Sequence, residues 1–397
     1  MQLSDIVILS GARTPIGSFG GALASQSPAQ LGTVAATAAI QRAGVDAAQV
    51  DAAVFGHIIT TTSDDVYLAR QIALQTGMTP SSNAFQVNRL CGSGLQAIIS
   101  AAQQLLLGDG QLALCGGAES MSQGAFLLPG VRKGLRVGHA AVTDLTLGIL
   151  TDPFGSGHMG ITAENIAAKY GFSRNQLDEF ALESQQRAAK AQQAGYFTEQ
   201  IVAVPLSGKA GAEPTLVSTD EHIRPATTLQ SLSQLKPAFQ ANGMVTAGNA
   251  SGLNDGAAAL ILATAQYAKS HGLSPKARLV GYSMAGVEPS LMGLGPIPAV
   301  QQLLAKTGLS LANIDVIESN EAFAAQALAV SQTLGFDPAK VNPNGGAIAL
   351  GHPVGATGAI LLVKTLYELE RINGQFGLVT LCIGGGQGIA LLVERCS

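Results

Sequence analysis

Two distant segments of this chain follow the same course. Cys91-Gly-Ser-Gly leads into an apolar helical pattern and then a strand that reaches Cys115-Gly-Gly. His352-Pro-Val-Gly leads into a second such helix and a strand that reaches Cys382-Ile-Gly-Gly. The spans are similar, 24 residues from 91 to 115 and 30 from 352 to 382. A repeat of this kind constrains the fold strongly, because two related halves packed about a pseudo-two-fold axis bring equivalent points face to face. It predicts that Cys91 and His352 occupy equivalent helix N-termini and face one cleft.

The rest of the pattern is α/β. Ile6 to Leu9 reads as a strand, Ala29 to Ala43 as a helix, Ala52 to Phe55 as a strand and Tyr67 to Thr76 as a helix. After Cys91, apolar Leu95, Ile98, Ile99, Ala102 and Leu105 recur at helical spacing until Gly108, and Leu112 to Cys115 is a strand. From Met121 to about Thr246 basic residues, prolines and a charged helix replace the alternation, which predicts an insertion. Regular patterning resumes at Ala257 to Leu262, with a strand at Asp315 to Ile317, helices at Glu321 to Leu334 and Pro353 to Leu369, and a strand at Leu378 to Cys382. The expected division is a first half (1–121 plus 248–272), an inserted loop domain (122–247) and a second half (273–397).

Composition narrows the function classes. With 397 residues, 47% of them hydrophobic, the chain can build a large core. Only 12% are charged, about half the usual share, which predicts that part of the surface is hidden in an oligomer. A net charge of −4 gives no general attraction for nucleic acid, so an anionic substrate must meet a local basic patch. Arg132-Lys-Gly-Leu-Arg136 is either such a patch or a solvated loop. No uninterrupted run of about 18 apolar residues and no basic leader at Met1 to Asp5 predict a cytoplasmic chain without membrane insertion. Four cysteines without CxxC spacing predict neither disulfides nor a zinc site.

The Gly-rich junctions carry the chemistry. A cysteine at a helix N-terminus is either a buried inert thiol or one whose thiolate the helix dipole favours. His352 either caps its helix, with Pro353 at the first helical position, or takes the thiol proton. Cys382 precedes three glycines whose N–H groups suit an oxyanion, unless it is a small core residue. Asn320, in Ser319-Asn-Glu-Ala-Phe, is an N-cap or an amide that orients water.

Cys91-Gly-Ser-Gly, Asn320-Glu-Ala-Phe, Gly351-His-Pro and Cys382-Ile-Gly-Gly-Gly-Gln-Gly, with Arg13-Thr-Pro near the start, resemble the thiolases over essentially the whole chain. The resemblance implies the duplicated, five-layered α-β-α-β-α thiolase fold with an inserted loop domain, and an acyl-CoA C-acyltransferase (β-ketothiolase). It implies that Cys91 is the acylated nucleophile, that His352 activates it and that Cys382 moves the proton at the acyl α-carbon. Asn320 would hold a water that, with His352, binds one thioester oxygen, and the backbone N–H groups of Cys91 and Gly384 would bind the other. His158, Met159, Arg224, Ser251 and Phe323 carry over as substrate-binding or wall residues, with Met159 and Met292 bearing on chain length.

Coenzyme A and its esters are then substrates and products, with no metal or other cofactor. A homotetramer built as a dimer of dimers is the expected assembly, with the Arg132 to Arg136 segment in a tetramer-forming loop. Short 3-keto chains are expected, as in bacterial β-ketothiolases of polyhydroxyalkanoate synthesis. The degradative 3-ketoacyl-CoA thiolase of fatty-acid oxidation is the alternative, and a non-catalytic thiolase-like lipid carrier the different-class one. The related ketoacyl-carrier-protein synthases pair their cysteine with His/His or His/Asn, which leaves Cys382 as the thiolase mark. Ser319, where valine is common, and Pro343 depart from the family pattern without touching a role. His57, His139, His222 and His271 match no catalytic motif and read as structural or exposed. The assigned roles also place Cys91 and Cys382 near enough to be vulnerable to oxidation together.

Overall fold

The computed structural model describes residues 2–206 and 214–396. Met1, residues 207–213 of the expected insertion, and Ser397 lie outside the described residues. The first half runs β1 (Ile6–Arg13), α1 (Pro28–Ala43), β2 (Ala52–Gly56), α2 (Leu68–Gln75), β3 (Asn83–Val87), α3 (Ser93–Leu107) and β4 (Leu112–Ser120). After an excursion that contains α4 (Met159–Tyr170) and α5 (Arg174–Gln193), the chain returns as β5 (Asn254–Thr264). The second half runs β6 (Ala277–Gly286), α6 (Pro296–Thr307), β7 (Val316–Ser319), α7 (Ala324–Leu334), α8 (Ala347–Leu350), α9 (Thr357–Ile372), β8 (Phe376–Ile383) and β9 (Gln387–Arg395).

The strands pair in the order β7-β8-β9-β6-β1-β5-β4-β2-β3. Leaving out the edge strand β3, this order is a palindrome once β6 is matched with β1, β7 with β2, β8 with β4 and β9 with β5. The seam is narrow: β1 meets β6 only through Val7 with Arg278 and Ile8 with Ala277. The duplication extends to single atoms. Asp51 Oδ2 accepts the N–H groups of Gln111 and Leu112 at 2.7 and 3.0 Å. Asp315 Oδ2 accepts those of Gln375 and Phe376 at the same 2.7 and 3.0 Å.

Five layers follow from where each helix buries its apolar face. Helices α1 and α2 cover the outside of the first-half strands. Helices α3 and α9 lie in the middle, against both sets of strands, and α6 and α7 cover the outside of the second half. Strands with helices on both faces read as continuous apolar runs, as β5 does with every residue buried. Local signals set the helix ends. Ser27 and Gln30 form a capping box ahead of α1, Pro28 stands in its first turn, and Gly44 ends it in the left-handed conformation. The two central helices start side by side, and only glycine allows it. A Cβ on Gly94 would lie 2.8 Å from the backbone nitrogen of Ala359, and one on Gly358 would strike the backbone nitrogen of Leu95.

Three expected boundaries move. Strand β4 continues past Cys115-Gly-Gly to Ser120, because Gly116 and Gly117 pair with β5 rather than ending the strand. Helix α7 begins at Ala324, because Ala250 bridges Phe323 and the Ala324 N–H bonds to Asn249, holding the preceding residues extended. Helix α9 begins at Thr357, not Pro353. Residues 353–356 form a turn closed by the Pro353 carbonyl, which accepts the N–H groups of Ala356 and Thr357 at 2.8 and 3.0 Å.

The excursion is bolted to both halves. Ile166, Leu177 and Ala181 of α4 and α5 pack on Ala324, Ala325 and Ala329 of α7. The fully buried Arg13 of β1 reaches back to it, forking onto Asp220 at 2.7 and 2.9 Å and onto Gln200 at 2.7 Å. A buried guanidinium is tolerated here because both charges are paired and the fork is used fully.

Candidate active site

The turn that delivers Cys91 is tight. Leu90 takes a positive φ of 46°, rare for a bulky side chain and a local cost of about 1 kcal/mol. Asn88 Oδ1 accepts its N–H at 3.1 Å. Ser93, the first residue of α3, closes the turn by donating its hydroxyl to the Leu90 carbonyl at 2.6 Å. On the other half, Gly351 (φ 105°) turns the chain out of α8 so that the His352 N–H bonds Asn254 of β5 at 2.9 Å. A Cβ on Gly351 would overlap the Asn254 amide.

The expected equivalence of Cys91 and His352 does not hold. Cys91 stands two residues before α3, whereas His352 stands five before α9, so Gly355 is the counterpart of Cys91. The two still reach one cavity because the longer turn before α9 carries His352 across.

That cavity, about 50 Å³ in volume, is lined by Cys91, His352, Cys382, Gly384, Met159, Ser251 and Phe323, together with Met292 and Leu90. Asn320 lies behind it, its Nδ2 3.4 Å from His352 Nε2, with its buried Oδ1 left without a partner. His158 sits at the start of α4, where Nδ1 accepts the Gly160 N–H at 3.0 Å and the ring stacks on Phe239, 4.6 Å between centroids. Arg224 is not in this cavity. It lines a groove of about 350 Å³ with His222, Thr227, Ser231 and Gly248.

The protonation states bear on the two readings of Cys91. The helix dipole does not make Cys91 a resting thiolate: burial pushes the thiol up to about 11, although the backbone N–H groups of Gly384 and Cys91 pull it down. Cys91 lies ahead of the helix, and the loss of water outweighs the N–H groups. Burial likewise pushes Cys382 up, with Cys91 beside it adding to the effect, and lowers His352 to about 4. At neutral pH the cavity therefore holds two thiols and a neutral imidazole, and both cysteines are free.

The imidazole has one tautomer available. His352 Nδ1 is 2.7 Å from Thr357 Oγ1, and Thr357 spends its own proton on the Pro353 carbonyl at 3.0 Å. Nδ1 must then be the donor, which leaves Nε2 as the basic nitrogen. Thr357 and Phe239 were not singled out in the sequence. The spacing of Thr357 one turn beyond His352 is a usable signal, whereas Phe239 has none.

Other histidines fall in varied places. His139 and His271 are exposed. His222, without a motif, lines the larger groove, where burial, then the Arg224 charge, lowers it to about 4. His57 is buried between Asp65 and Glu119. Arg132, Lys133 and Arg136 are exposed. The window Leu90–Leu107 is long and apolar enough to cross a membrane by composition, yet it is the central helix α3, packed between strands.

The model of the thiolase N-terminal domain matches residues 6–266 and that of the thiolase C-terminal domain residues 273–395. The chain belongs to the thiolase family. It is 53% identical to the beta-ketothiolase BktB of Cupriavidus necator over 98% of this chain and 99% of that one. It is 48% identical to an acetyl-CoA acetyltransferase of the same organism, over 99% of this chain and all of that one. The crystal structure of the Bacillus anthracis acetyl-CoA acetyltransferase superimposes with a TM-score of 0.96 at 44% identity, covering 98% of each chain. The duplicated fold is thus the thiolase fold, and this thiolase is an acyl-CoA C-acyltransferase.

Proposed function

We propose that the thiolase catalyses a reversible, ping-pong Claisen condensation of two acyl-CoA molecules to a 3-ketoacyl-CoA and coenzyme A, through an acyl thioester on Cys91. The observation that carries this reading is the placement of two thiols and an imidazole around one cavity, with the Cys91 sulfur facing the backbone N–H groups of Cys91 and Gly384. As Cys91 attacks a thioester carbon, its proton passes to His352 Nε2 and the carbonyl oxygen gains charge, which those two N–H groups stabilise. Coenzyme A leaves as a thiol after taking the Cys382 proton, so the acyl group stays on Cys91 while Cys382 is a thiolate and His352 is protonated at Nε2.

In the second half-reaction Cys382 takes the α-proton of the incoming acyl-CoA. The new carbanion attacks the acyl carbon and expels Cys91, whose sulfur takes its proton back from His352 Nε2. The enolate oxygen is held by His352 and by a water on Asn320, whose unpartnered Oδ1 suits that task. A neutral imidazole and a protonated thiol suit this scheme, because each proton moves only as its carbon–sulfur or carbon–carbon bond changes. The groove that contains Arg224 would take the phosphates of coenzyme A, with His158, Met159, Ser251 and Phe323 along the arm between groove and cavity. The reaction draws on no metal or redox cofactor.

The narrow cavity supports a short acyl group. So does the order of identity among relatives: those named beta-ketothiolase and acetyl-CoA acetyltransferase stand at 53% and 48%, against 44% for the mitochondrial 3-ketoacyl-CoA thiolase of Bos taurus. A homotetramer in the cytoplasm is part of this proposal. Support comes from apolar Phe126, Leu135 and Val137, exposed beside Arg132 and Arg136, and from the open edge strand β3 with its exposed Phe85.

The test is intact-protein mass spectrometry after mixing with acetoacetyl-CoA, followed by peptide mapping. An acetyl adduct on Cys91 that disappears on adding coenzyme A, and is absent in Cys91→Ser, is the expected result. An adduct elsewhere, or turnover by Cys91→Ser, overturns it.

A further inference from the structure

Next to Ile58 and Val354 of the cavity wall lies a buried cluster that this chemistry does not use. Glu119, at the end of β4, has no exposed surface. Its Oε2 accepts the N–H of Gly355 at 2.9 Å, in the turn that carries His352, and its Oε1 accepts the N–H of Ile59 at 3.0 Å. One carboxylate of the first half thus holds the catalytic turn of the second. A Cβ on Gly355 would collide with Glu119 Oε2, so the contact leaves no slack.

His57 closes the cluster. Its Nδ1 is shared between the Ala118 carbonyl at 3.0 Å and Glu119 Oε1 at 3.1 Å. Its Nε2 stands 3.6 Å from Asp65 Oδ2, too far for a hydrogen bond and close enough for strong attraction between charges. Burial works against a charge on His57, but Glu119 and then Asp65 outweigh it and hold the imidazole up to about 10. Two carboxylates and one imidazolium leave one net negative charge. The titratable groups around Cys91 are His352 and Cys382 in the cavity and Glu119 next to it. Of these Glu119 is the one whose two oxygens accept backbone N–H groups and face an imidazole, and its charge opposes a thiolate on Cys91.

We propose that His57 is a positioning residue for the nucleophile: as an imidazolium it offsets the Glu119 carboxylate that anchors the His352 turn, so that the cluster near Cys91 carries one net negative charge and not two. The anchor needs a carboxylate, since both oxygens accept backbone N–H groups, and the nucleophile needs that charge offset. His57 reconciles the two demands. The proposal assumes that Cys91 is the group to be ionised, and it is tested by a reaction that requires no turnover.

The experiment measures the rate of Cys91 alkylation by iodoacetamide against pH, in the full chain, by peptide mass mapping. Replacing His57 by glutamine leaves two uncompensated carboxylates, so H57Q should shift the profile up by about one unit, roughly tenfold slower alkylation at pH 8. Glu119→Gln leaves His57 balanced against Asp65 and should shift it down. The double variant H57Q/E119Q, with one net negative charge again, should return close to the parent. A packing role alone would not move the two single variants in opposite directions. An H57Q profile that superimposes on the parent, or an E119Q profile that moves upward, overturns the proposal. If H57Q does not fold, as judged by circular dichroism, the direction of the E119Q shift decides. Failure here leaves the acetyl-Cys91 adduct untouched, so the two readings fail separately.

Discussion

Thr357 and His352 share one proton arrangement: Nδ1 of the imidazole donates to the threonine hydroxyl at 2.7 Å, and the hydroxyl donates onward to the Pro353 carbonyl. Serine can reproduce this chain and valine cannot. Thr357→Val should lower kcat on the order of 10- to 100-fold with little change in KM, because the basic Nε2 is no longer enforced. Thr357→Ser should stay close to the parent. Steady-state thiolysis of acetoacetyl-CoA separates the two parameters.

Acid should destabilise the fold through its buried imidazoles. His352 and His222 take a proton near 6.5 in the unfolded chain but only near 4 when folded. The unfolded state therefore binds more protons between those values. Stability from these groups is complete above pH 6.5 and lost as pH falls towards 4, about 3 kcal/mol for the fully buried His352. His57, raised to about 10, has the opposite sign: its contribution is complete below 6.5 and lost as pH rises through 10. Denaturant midpoints at pH 7 and 4.5 should fall less for His352→Asn than for the parent. Equal slopes would remove His352 from this account.

Gly94→Ala should cost on the order of 1–3 kcal/mol, since its Cβ would meet the backbone of Ala359 and not a side chain that can swing aside. Urea titration followed by far-ultraviolet circular dichroism reads the loss. A stability equal to the parent's would show that the two central helices can part without penalty.

Chain length should respond to Met292, buried against the cavity with Phe323 and Met159. Met292→Ala makes room for further methylene groups, each worth about tenfold or more in a fitted apolar pocket. The ratio of kcat/KM for a five-carbon over a four-carbon 3-ketoacyl-CoA should rise about tenfold. An unchanged ratio would place the acyl tail elsewhere.

Arg224→Ala should raise KM for coenzyme A about tenfold and leave kcat nearly unchanged, as expected when a contact made equally in ground and transition states is lost. The effect should shrink in high salt, since Arg224 is exposed at the groove. A fall in kcat alone would exclude the groove as the phosphate site.

The duplication is legible in the sequence because Gly-rich junctions and apolar helices are local signals. Its phase is not. Asp51 and Asp315 align the halves better than Cys91 and His352 do, and an aspartate that accepts two backbone N–H groups is indistinguishable in sequence from one on the surface. Cys91, His352 and Cys382 could be picked out because glycine surrounds them, and Asn320 because it falls between a strand and a helix. Phe239 and the His57–Glu119 pair are not legible because their meaning lies in what faces them, across separations of 60 to 236 residues for the contacts of Ala118 and Glu119. The resting state of Cys91 stays open between two readings in the sequence for a similar reason, since burial is set by the whole fold and not by the helix it precedes.

The β1–β6 seam, two residue pairs wide, makes catalysis a report on assembly. The nucleophile rides on one half, and the base and the second thiol ride on the other. A slip between them too small to expose a helix would still separate thiol from imidazole. In mild denaturant, activity should vanish while the circular dichroism of the helices is intact, so that turnover serves as the finer gauge of how the halves are docked.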